Sequence, residues 1–411
     1  MRWFKQELTR LPWLSSCLFV CVASAFAPLH AAQQDPLPVP ILYIARDLPE
    51  PIPLSLLDEP AEDNGVSGAR LGLNDNKTTG GFLGHDYSME SLIVAEDDDI
   101  VAQVKPFIEQ GRTLLVADLQ ADDLLALADA YAESLLFNVR ARDTRLRDQD
   151  CRANLLHVAP SRAMLADALI QYLSWKRWDE LVLVTGRHPE DQLFADALSH
   201  SVTRFGLDIV EDKRWTAIPG ARRSDSGHHS VQQEIPVFSR FSDHDVVLLA
   251  DELDEFGEYF SYHMTDPRPV AGTQGLVPTA WDRTQEQWGA TQIQRRFEKL
   301  ANRFMTPRDY SAWAAMRAIA EGVTKTGSAD VNDLRSYLLS NDFKLAGFKG
   351  VPLSFRTWNG QLRQPVLLAA PRMLVSVSPQ EGFLHQVSEL DTLGVDEPES
   401  SCTQFQRSVE E

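Results

Sequence analysis

The sequence predicts an α/β protein with mainly parallel sheets, divided between two lobes. Short, continuous apolar runs alternate with helical patterns along most of the chain, as strands covered on both faces require. The order is strand, helix, strand, helix, with no internal repeat and no low-complexity tract. A chain of 411 residues is also too long for one core of ordinary size.

The first stretch is an address. Arg2, Lys5 and Arg10 make a basic start, diluted by Glu7, and an apolar run follows from Leu11 to Ala27. Small residues end it at Ala23, Ser24, Ala25 and Ala27, the order of a secretory signal peptide. Residues 1–25 are therefore expected to be removed, with a cut after Ala32 as the alternative. A cut after Ala27 would put Pro28 just beyond the scissile bond, where its ring fits poorly. The run is short for a membrane-spanning helix, and it continues past Cys17, where a lipoprotein signal would close. No later segment is long and apolar enough to span a bilayer, so the mature chain is expected to be exported and soluble. Loss of the leader takes the formal charge from −20 to −22, a balance that argues against nucleic acid as partner.

Strands are expected at Val39–Ile44, Ser91–Ala95, Thr113–Ala117, Leu135–Val139, Asn154–Val158, Leu181–Thr185, Asp245–Ala250 and Pro269–Gly272. Gly65-Val66-Ser67-Gly68 reads as a helix entry. From Ser161 to Arg177, Leu165, Leu169 and Leu173 form one apolar stripe, with Ser161 as N-cap. A helix from about Pro307 to Lys325 carries Trp313, Met316, Ala320 and Val323 on one side, and Gly327 stops it. Asp330 to Ser340 carries Leu334, Leu338 and Leu339. Ala217 to Ser242 breaks the rhythm and reads as a long polar loop.

Cys17 and Cys21 leave with the leader. Cys151 and Cys402 remain, an even pair in an oxidising compartment, and a disulfide between them is expected.

Catalytic signatures are absent: there is no nucleophile elbow, no phosphate-binding P-loop and no zinc-protease helix. His228, His229 and His244 do not read as a metal site, because adjacent histidines on a strand face opposite ways and in a loop are solvated. Acids crowd two turns, Asp118, Asp122 and Asp123 after one strand and Asp251, Glu252, Asp254 and Glu255 after another. Helix capping explains many of them. Both turns, with Asn138–Asp143 and Gly186–Asp191, also lie beyond the carboxyl ends of strands, where open α/β sheets bind ligands.

The order of segments resembles the type I periplasmic solute-binding proteins, the Leu/Ile/Val-binding family that serves ABC importers. "LLHVAPSRAMLADALIQYLSWKRWDELVLVTG" is similar to that family's crossing from the first lobe to the second, and "HPEDQLFADALSHSVTRFGLDIV" to its next helix and strand. "RRFEKLANRFMTPRDYSAWAAMRAIAEGVTKTGSADVNDLRSYL" resembles the return to the first lobe. "FKGVPLSFRTWNGQLRQPVLLA" resembles the closing strands, with Asn359-Gly360 as a hairpin turn. That last string, "RDLPEPIPLSLLDEPAEDNGVSGARLGLNDNKTTGGFLG" and "SPQEGFLHQVSELDTLGVDEPESSC" resemble the substrate-binding subfamily encoded beside PQQ-dependent alcohol oxidation systems.

The resemblance implies two Rossmann-like lobes joined by a hinge, the type I periplasmic-binding-protein fold. It places residues 38–157 and 275–340 in the first lobe, and 158–274 and 341–411 in the second lobe and tail. It implies a monomeric periplasmic protein without cofactor, partnered by a small solute and an inner-membrane ABC permease. Amino-acid binders of the family use small hydroxyl residues in the first lobe. This chain instead has Asp118-Leu119-Gln120-Ala121-Asp122 and Asn138-Val139-Arg140-Ala141-Arg142-Asp143, and Arg187-His188-Pro189 replaces a tyrosine-glycine pair. A more polar or differently charged solute follows. The expected ligand-binding residues are Asp118, Gln120, Asp122, Asn138, Arg140, Asp143, Arg187, Asp251 and Gln274. One variant has Asp118, Asp122 and Asp143 holding a hard cation. A second reading keeps the fold but makes the chain an interaction or sensor subunit that contacts a periplasmic protein.

Overall fold

The continuous apolar runs become the central strands of two parallel sheets. The computed structural model describes residues 35–49, 60–216 and 225–405, with the side chains of 225–231 excepted. The expected signal peptide and the side chains of His228 and His229 lie outside the described residues. In the first lobe β1 (Leu37–Asp47) leads to α1 (Val66–Leu83), β2 (His85–Ala95), α2 (Ile100–Glu109), β3 (Leu114–Asp118), α3 (Ala121–Ala130), β4 (Leu135–Asn138) and β5 (Leu155–His157). The strands form one parallel sheet in the order β2-β1-β3-β4-β5. Ile41 to Ile44 and Leu114 to Ala117, on the inner strands, are buried on both faces. β2 starts earlier than its apolar half suggests: His85–Glu90 pairs in register with Leu37–Leu42. As an edge strand it needs only one covered face, so its first half carries no apolar run.

The second lobe repeats the plan. After β5 come α4 (Arg162–Lys176), β6 (Glu180–Thr185), α5 (Pro189–Phe205), β7 (Asp208–Arg214), α6 (Asp225–Phe238), β8 (Val246–Ala250), α7 (Phe260–His263) and β9 (Val270–Gly272). The strand order is β7-β6-β8-β9, again parallel. Ser161 caps α4 by accepting from the Met164 N–H at 3.1 Å. α6 corrects the expectation of a polar loop or excursion over 217–242 for residues 225–238; residues 217–224 lie outside the described residues. Its interior Pro236 and polar sequence hide the helix, which is held through Ile235, fully buried against the aromatic cluster of Trp215, Phe256 and Phe260.

The chain then returns. β10 (Val277–Thr279) is followed by α8 (Ala290–Ala301), α9 (Pro307–Thr326) and α10 (Val331–Leu338), which cover the first sheet. Gly68 and Gly72 lie one turn apart on α1 and let it press against α9. A Cβ on Gly68 would fall 1.9 Å from the Asp309 carbonyl oxygen, and one on Gly72 2.6 Å from Met316 Cβ. The last strands are β11 (Leu345–Ala346), β12 (Pro352–Phe355), β13 (Leu362–Arg363), β14 (Val366–Ala370) and β15 (Met373–Ser378). β11, β12 and β13 form one antiparallel sheet, with the Asn359-Gly360 turn between β12 and β13; β10, β14 and β15 form another. Leu345, Leu353, Phe355 and Leu362 join the first core, although the resemblance placed 341–411 in the second lobe and tail; Val366 and Leu368 join the second core. The reason is packing. Phe355 stacks on Phe343 behind α10, 5.5 Å between ring centroids.

The chain passes between the two cores at 159–163, 277–279, 363–365 and 394–401, reading from one core's members to the other's. The last passage is a tail. Gly394 donates its N–H to Asp167 on α4 at 2.7 Å, and Cys402 is bonded to Cys151, 251 residues earlier. Upstream of it, the buried Asp391 carboxylate accepts from Arg356 Nε at 2.9 Å and Arg363 Nε at 2.8 Å. The expected disulfide is thus formed, and it anchors the tail to the first core.

His157 closes β5 at the first passage. It is fully buried, its Nδ1 lies 3.1 Å from the Asn138 amide nitrogen, and its Nε2 finds no well-formed hydrogen bond among the described residues. Burial first, and the Arg147 charge second, push its pKa well below the ordinary 6.5. The folded chain therefore stays neutral at His157 while the unfolded chain takes up a proton. Stability is expected to fall as pH drops below 6.5, with His157 contributing up to about 1.4 kcal/mol per pH unit. Denaturant midpoints across mildly acidic pH check this, and a His157→Gln variant should show a shallower slope.

Candidate functional site

Strand ends, not helix faces, build the candidate site. The loops after β3, β4, β5 and β8 and the first turns of α4, α5 and α9 converge on a cleft between the lobes with a volume of about 730 Å³. This is the position that parallel sheets offer, at the carboxyl ends of their strands. Leu48, Leu165, Leu193 and Leu253 give the walls apolar patches, and Thr279 and Ser311 supply hydroxyls.

Charge dominates the lining. Arg46 donates from Nε and Nη2 to both oxygens of Asp123, each at 2.7 Å. Arg145 binds Asp122, and Asp150 at 2.9 Å. Arg162, at the start of α4, reaches both lobes: Asp143 of the first at 3.2 Å and Glu252 of the second through a bidentate pair at 3.0 and 2.6 Å. Burial opposes the Arg162 charge, but Glu252 and then Asp143 outweigh it and raise the pKa. Such fork geometry is what a guanidinium provides and an ammonium does not.

Beneath the first-lobe wall lies Asp118, the last residue of β3 and 2% exposed. Its Oδ2 accepts from the Tyr43 hydroxyl at 2.7 Å, and burial followed by this carboxylate raises the Tyr43 pKa. Its Oδ1 takes no hydrogen bond and faces Arg140 Nη1 at 3.8 Å and Arg308 Nε at 3.7 Å. Gly65 makes room for this arrangement: at φ +83°, a Cβ there would meet Asp118 Oδ2 and the Tyr43 hydroxyl, both at 2.5 Å. The loop that carries Arg140 and Arg142 is held from behind. Asn138 Oδ1 accepts from the N–H groups of Arg140 at 3.1 Å and Ala141 at 2.8 Å. The buried Arg147 donates to the carbonyls of Ala141, Asp143 and Ala159 and to Gln361. A buried cation spent on carbonyl oxygens fixes backbone, and here it fixes the cleft loop.

Of the residues the sequence pointed to, Gln120, Asp122, Arg140 and Asp143 line the cleft. Asp118 stands just behind the wall. Asn138, Arg187, Asp251 and Gln274 are off the lining. Asn138 holds its own loop. Arg187 is taken by Glu255 in a bidentate pair at 2.9 and 2.7 Å. Asp251 caps the turn after β8 by accepting from the N–H groups of Glu255, Phe256 and Gly257. Gln274 donates to the Asp251 carbonyl and to Asp254. The cation variant also changes: Asp118, Asp122 and Asp143 each face an arginine, and the described residues hold no cluster of metal-ligating side chains. Sequence reasoning did not select Arg46, Arg142, Arg162, Glu252 or Arg308. Arg142 stands in the turn already marked, and Arg162 and Arg308 each follow a proline closely at a helix start, the position from which a side chain can reach a strand-end cleft.

No protein-family profile and no curated protein matches the chain. Solved structures do. A branched-chain amino acid ABC transporter periplasmic ligand-binding protein from Burkholderia xenovorans LB400 superposes with a TM-score of 0.65 at 13% identity, covering 90% of this chain and 99% of that one. A leucine-, isoleucine-, valine-, threonine- and alanine-binding protein from Brucella ovis, in a closed conformation, gives 0.63 at 14% identity, with 90% and 99% covered. An ABC-transporter solute-binding protein from R. palustris in complex with benzoate gives 0.60 at 12% identity, with 89% and 99% covered. The likeness is one of fold: two α/β lobes around a cleft, the type I periplasmic-binding-protein architecture.

Proposed function

We propose that this protein is the periplasmic substrate-binding component of an ABC transporter, taking a small solute between its lobes. The observation that carries the reading is the cleft itself. It lies at the strand ends of both sheets, is built by both lobes, and is spanned by Arg162, which pairs with an acid from each. A solute seated there would join the lobes further, and hinge closure would present the closed form to a membrane permease. The fold shared with the Burkholderia and Brucella proteins supports this. Among the described residues no helix is long and apolar enough to cross a membrane. The basic, apolar and small-residue order of the first 25 residues supports export to the periplasm, and the Cys151–Cys402 bond fits an oxidising compartment. A link to PQQ-dependent alcohol oxidation rests on the sequence strings around residues 46–84, 348–369 and 378–402. The protein acts as a monomer without cofactor.

A thermal-shift screen of the mature protein tests the reading. Alcohols, their acids, cofactor precursors, amino acids and metal cations form the panel. A ligand at a hundredfold its Kd is expected to add about 2.7 kcal/mol of stability and raise the midpoint. No shift across the panel, with a periplasmic protein captured specifically by the same chain, would replace the transporter reading with that of an interaction subunit.

A further inference from the structure

We propose that the cleft selects solutes of net negative charge, carboxylates or phosphates, and that Arg142 and Arg308 are the residues that read the charge. This deepens the preceding section and rests on its reading of the cleft as the solute site.

Most charges on the cleft wall are already matched by partners of opposite sign. Arg46 has Asp123, Arg145 has Asp122 and Asp150, and Arg162 has Asp143 and Glu252. Two guanidinium groups differ. Arg142 makes no side-chain hydrogen bond or ion pair among the described residues, although it lines the cleft and is exposed to it. Among the described residues Arg308 has only the long approach to Asp118, whose Oδ1 also faces Arg140. The Asp118 carboxylate thus stands at long range from Arg308, and Arg142 lies close enough to Arg308 and Arg162 to feel both charges. Among the described residues, Glu96 and Glu190 are the remaining acids on the lining. Glu190 sits on the second-lobe wall, in the first turn of α5, and Glu96 on the first-lobe rim beyond β2.

Crowded like charges cost free energy, and a fold keeps them only where something repays the cost. Desolvation lowers the Arg142 pKa; Glu252 opposes this, while Arg162 and Arg308 add to it. An anion seated among these groups would relieve the repulsion and use their donors in charge-assisted bonds. The wall behind is built for it. Asp118, 2% exposed, leaves Oδ1 without a hydrogen bond toward Arg308, so its charge draws that guanidinium without occupying its donors at short range. Arg308 also lies in the first turn of α9, whose dipole favours negative charge at that end. The volume of about 730 Å³ and the leucine patches leave room for a carbon skeleton behind the charged head.

The test is calorimetric titration of the mature protein with succinate, benzoate and inorganic phosphate as anions, leucine as zwitterion and glycerol as neutral solute. Binding of at least one anion is expected, weakening as ionic strength rises. Arg142→Gln and Arg308→Gln should each weaken it about tenfold or more, the loss of one charge-assisted bond, while the ligand-free unfolding midpoint stays near that of the parent. Carboxylate and phosphate arms separate the two sources of charge. Binding only of leucine or glycerol would overturn the charge proposal and leave the solute-binding reading standing. Silence of all the anions, or an anion affinity unchanged in both variants, would also overturn it.

Discussion

Asp391→Ala is expected to lower unfolding stability by about 3–5 kcal/mol, the cost of stranding a buried charge. Asp391 is fully buried and Arg356 is 1% exposed. The Arg356 guanidinium spends its other donors on the carbonyls of Leu390, Leu393 and Val395, so the carboxylate is its counter-charge. Burial lowers the Arg356 pKa, and Asp391 is the largest influence working the other way. Without it, a desolvated cation remains against neutral dipoles. Arg363, which donates to the same carboxylate and to the Phe355 carbonyl, loses its partner too. Denaturant unfolding of the parent and variant measures the difference. A double variant, Arg356→Met with Asp391→Leu, should recover much of the loss, because it removes both charges from the interior. A loss under about 1 kcal/mol in the single variant would mean that the pair is solvated and worth no more than a surface bridge.

The second large effect belongs to Cys151–Cys402. The bond closes a separation of 251 residues, so it restricts the unfolded chain strongly. Loop-closure reasoning gives about 5 kcal/mol for a span of this length, and native-state relaxation commonly reduces the realised value to about 2–4 kcal/mol. A Cys151→Ser, Cys402→Ser double variant is expected to unfold at lower denaturant by that margin. Reductant should shift the parent to the same midpoint and leave the variant unmoved. An equal midpoint for oxidised parent and variant would show that the unfolded chain gains little freedom when the bond is absent.

The sequence made the inner strands readable because β1, β3, β6 and β8 are covered on both faces and have no choice but to be apolar. The edges were harder. β7 alternates half-buried and open positions through Asp208-Ile209-Val210-Glu211-Asp212-Lys213-Arg214, so charge masks the strand. α6 was hidden for a related reason: of its described side chains, 232–238, only Ile235 is buried, and Pro236 interrupts the helical pattern. The closing strands deceived by position. They follow the return to the first lobe in the chain, yet β12 and β14, eleven residues apart at their nearest ends (355 to 366), belong to different cores.

For the site, the rule of strand ends found the loops and not the roles within them. Asp118, Asn138, Asp251 and Gln274 are all polar residues at strand ends, and a sequence gives no means of telling a side chain that meets solvent from one that satisfies backbone N–H groups beneath it. Three of these four became fasteners of loops or turns, and Asp118 became a buried counter-charge. Conversely, Arg162 and Arg308 gain their meaning from convergence: 146 positions separate them, and only the fold sets both on one cleft.

The repeated passage of the chain between the cores has a mechanical meaning. Two bodies joined by a single thread can slide, twist and tumble against each other. Here the links at 159–163, 277–279, 363–365 and 394–401 run between the same two bodies, and the last is tied down at both ends, by Asp167 on one side and by Cys151 on the other. Shear along the seam would lengthen some links while slackening others. Rotation about an axis through the links strains them least, so the mouth of the cleft can widen while its base keeps its dimensions. On the first-lobe side, the loop after β4 is held from behind by Asn138 and Arg147, so such a rotation would carry that loop with its backbone bonds intact.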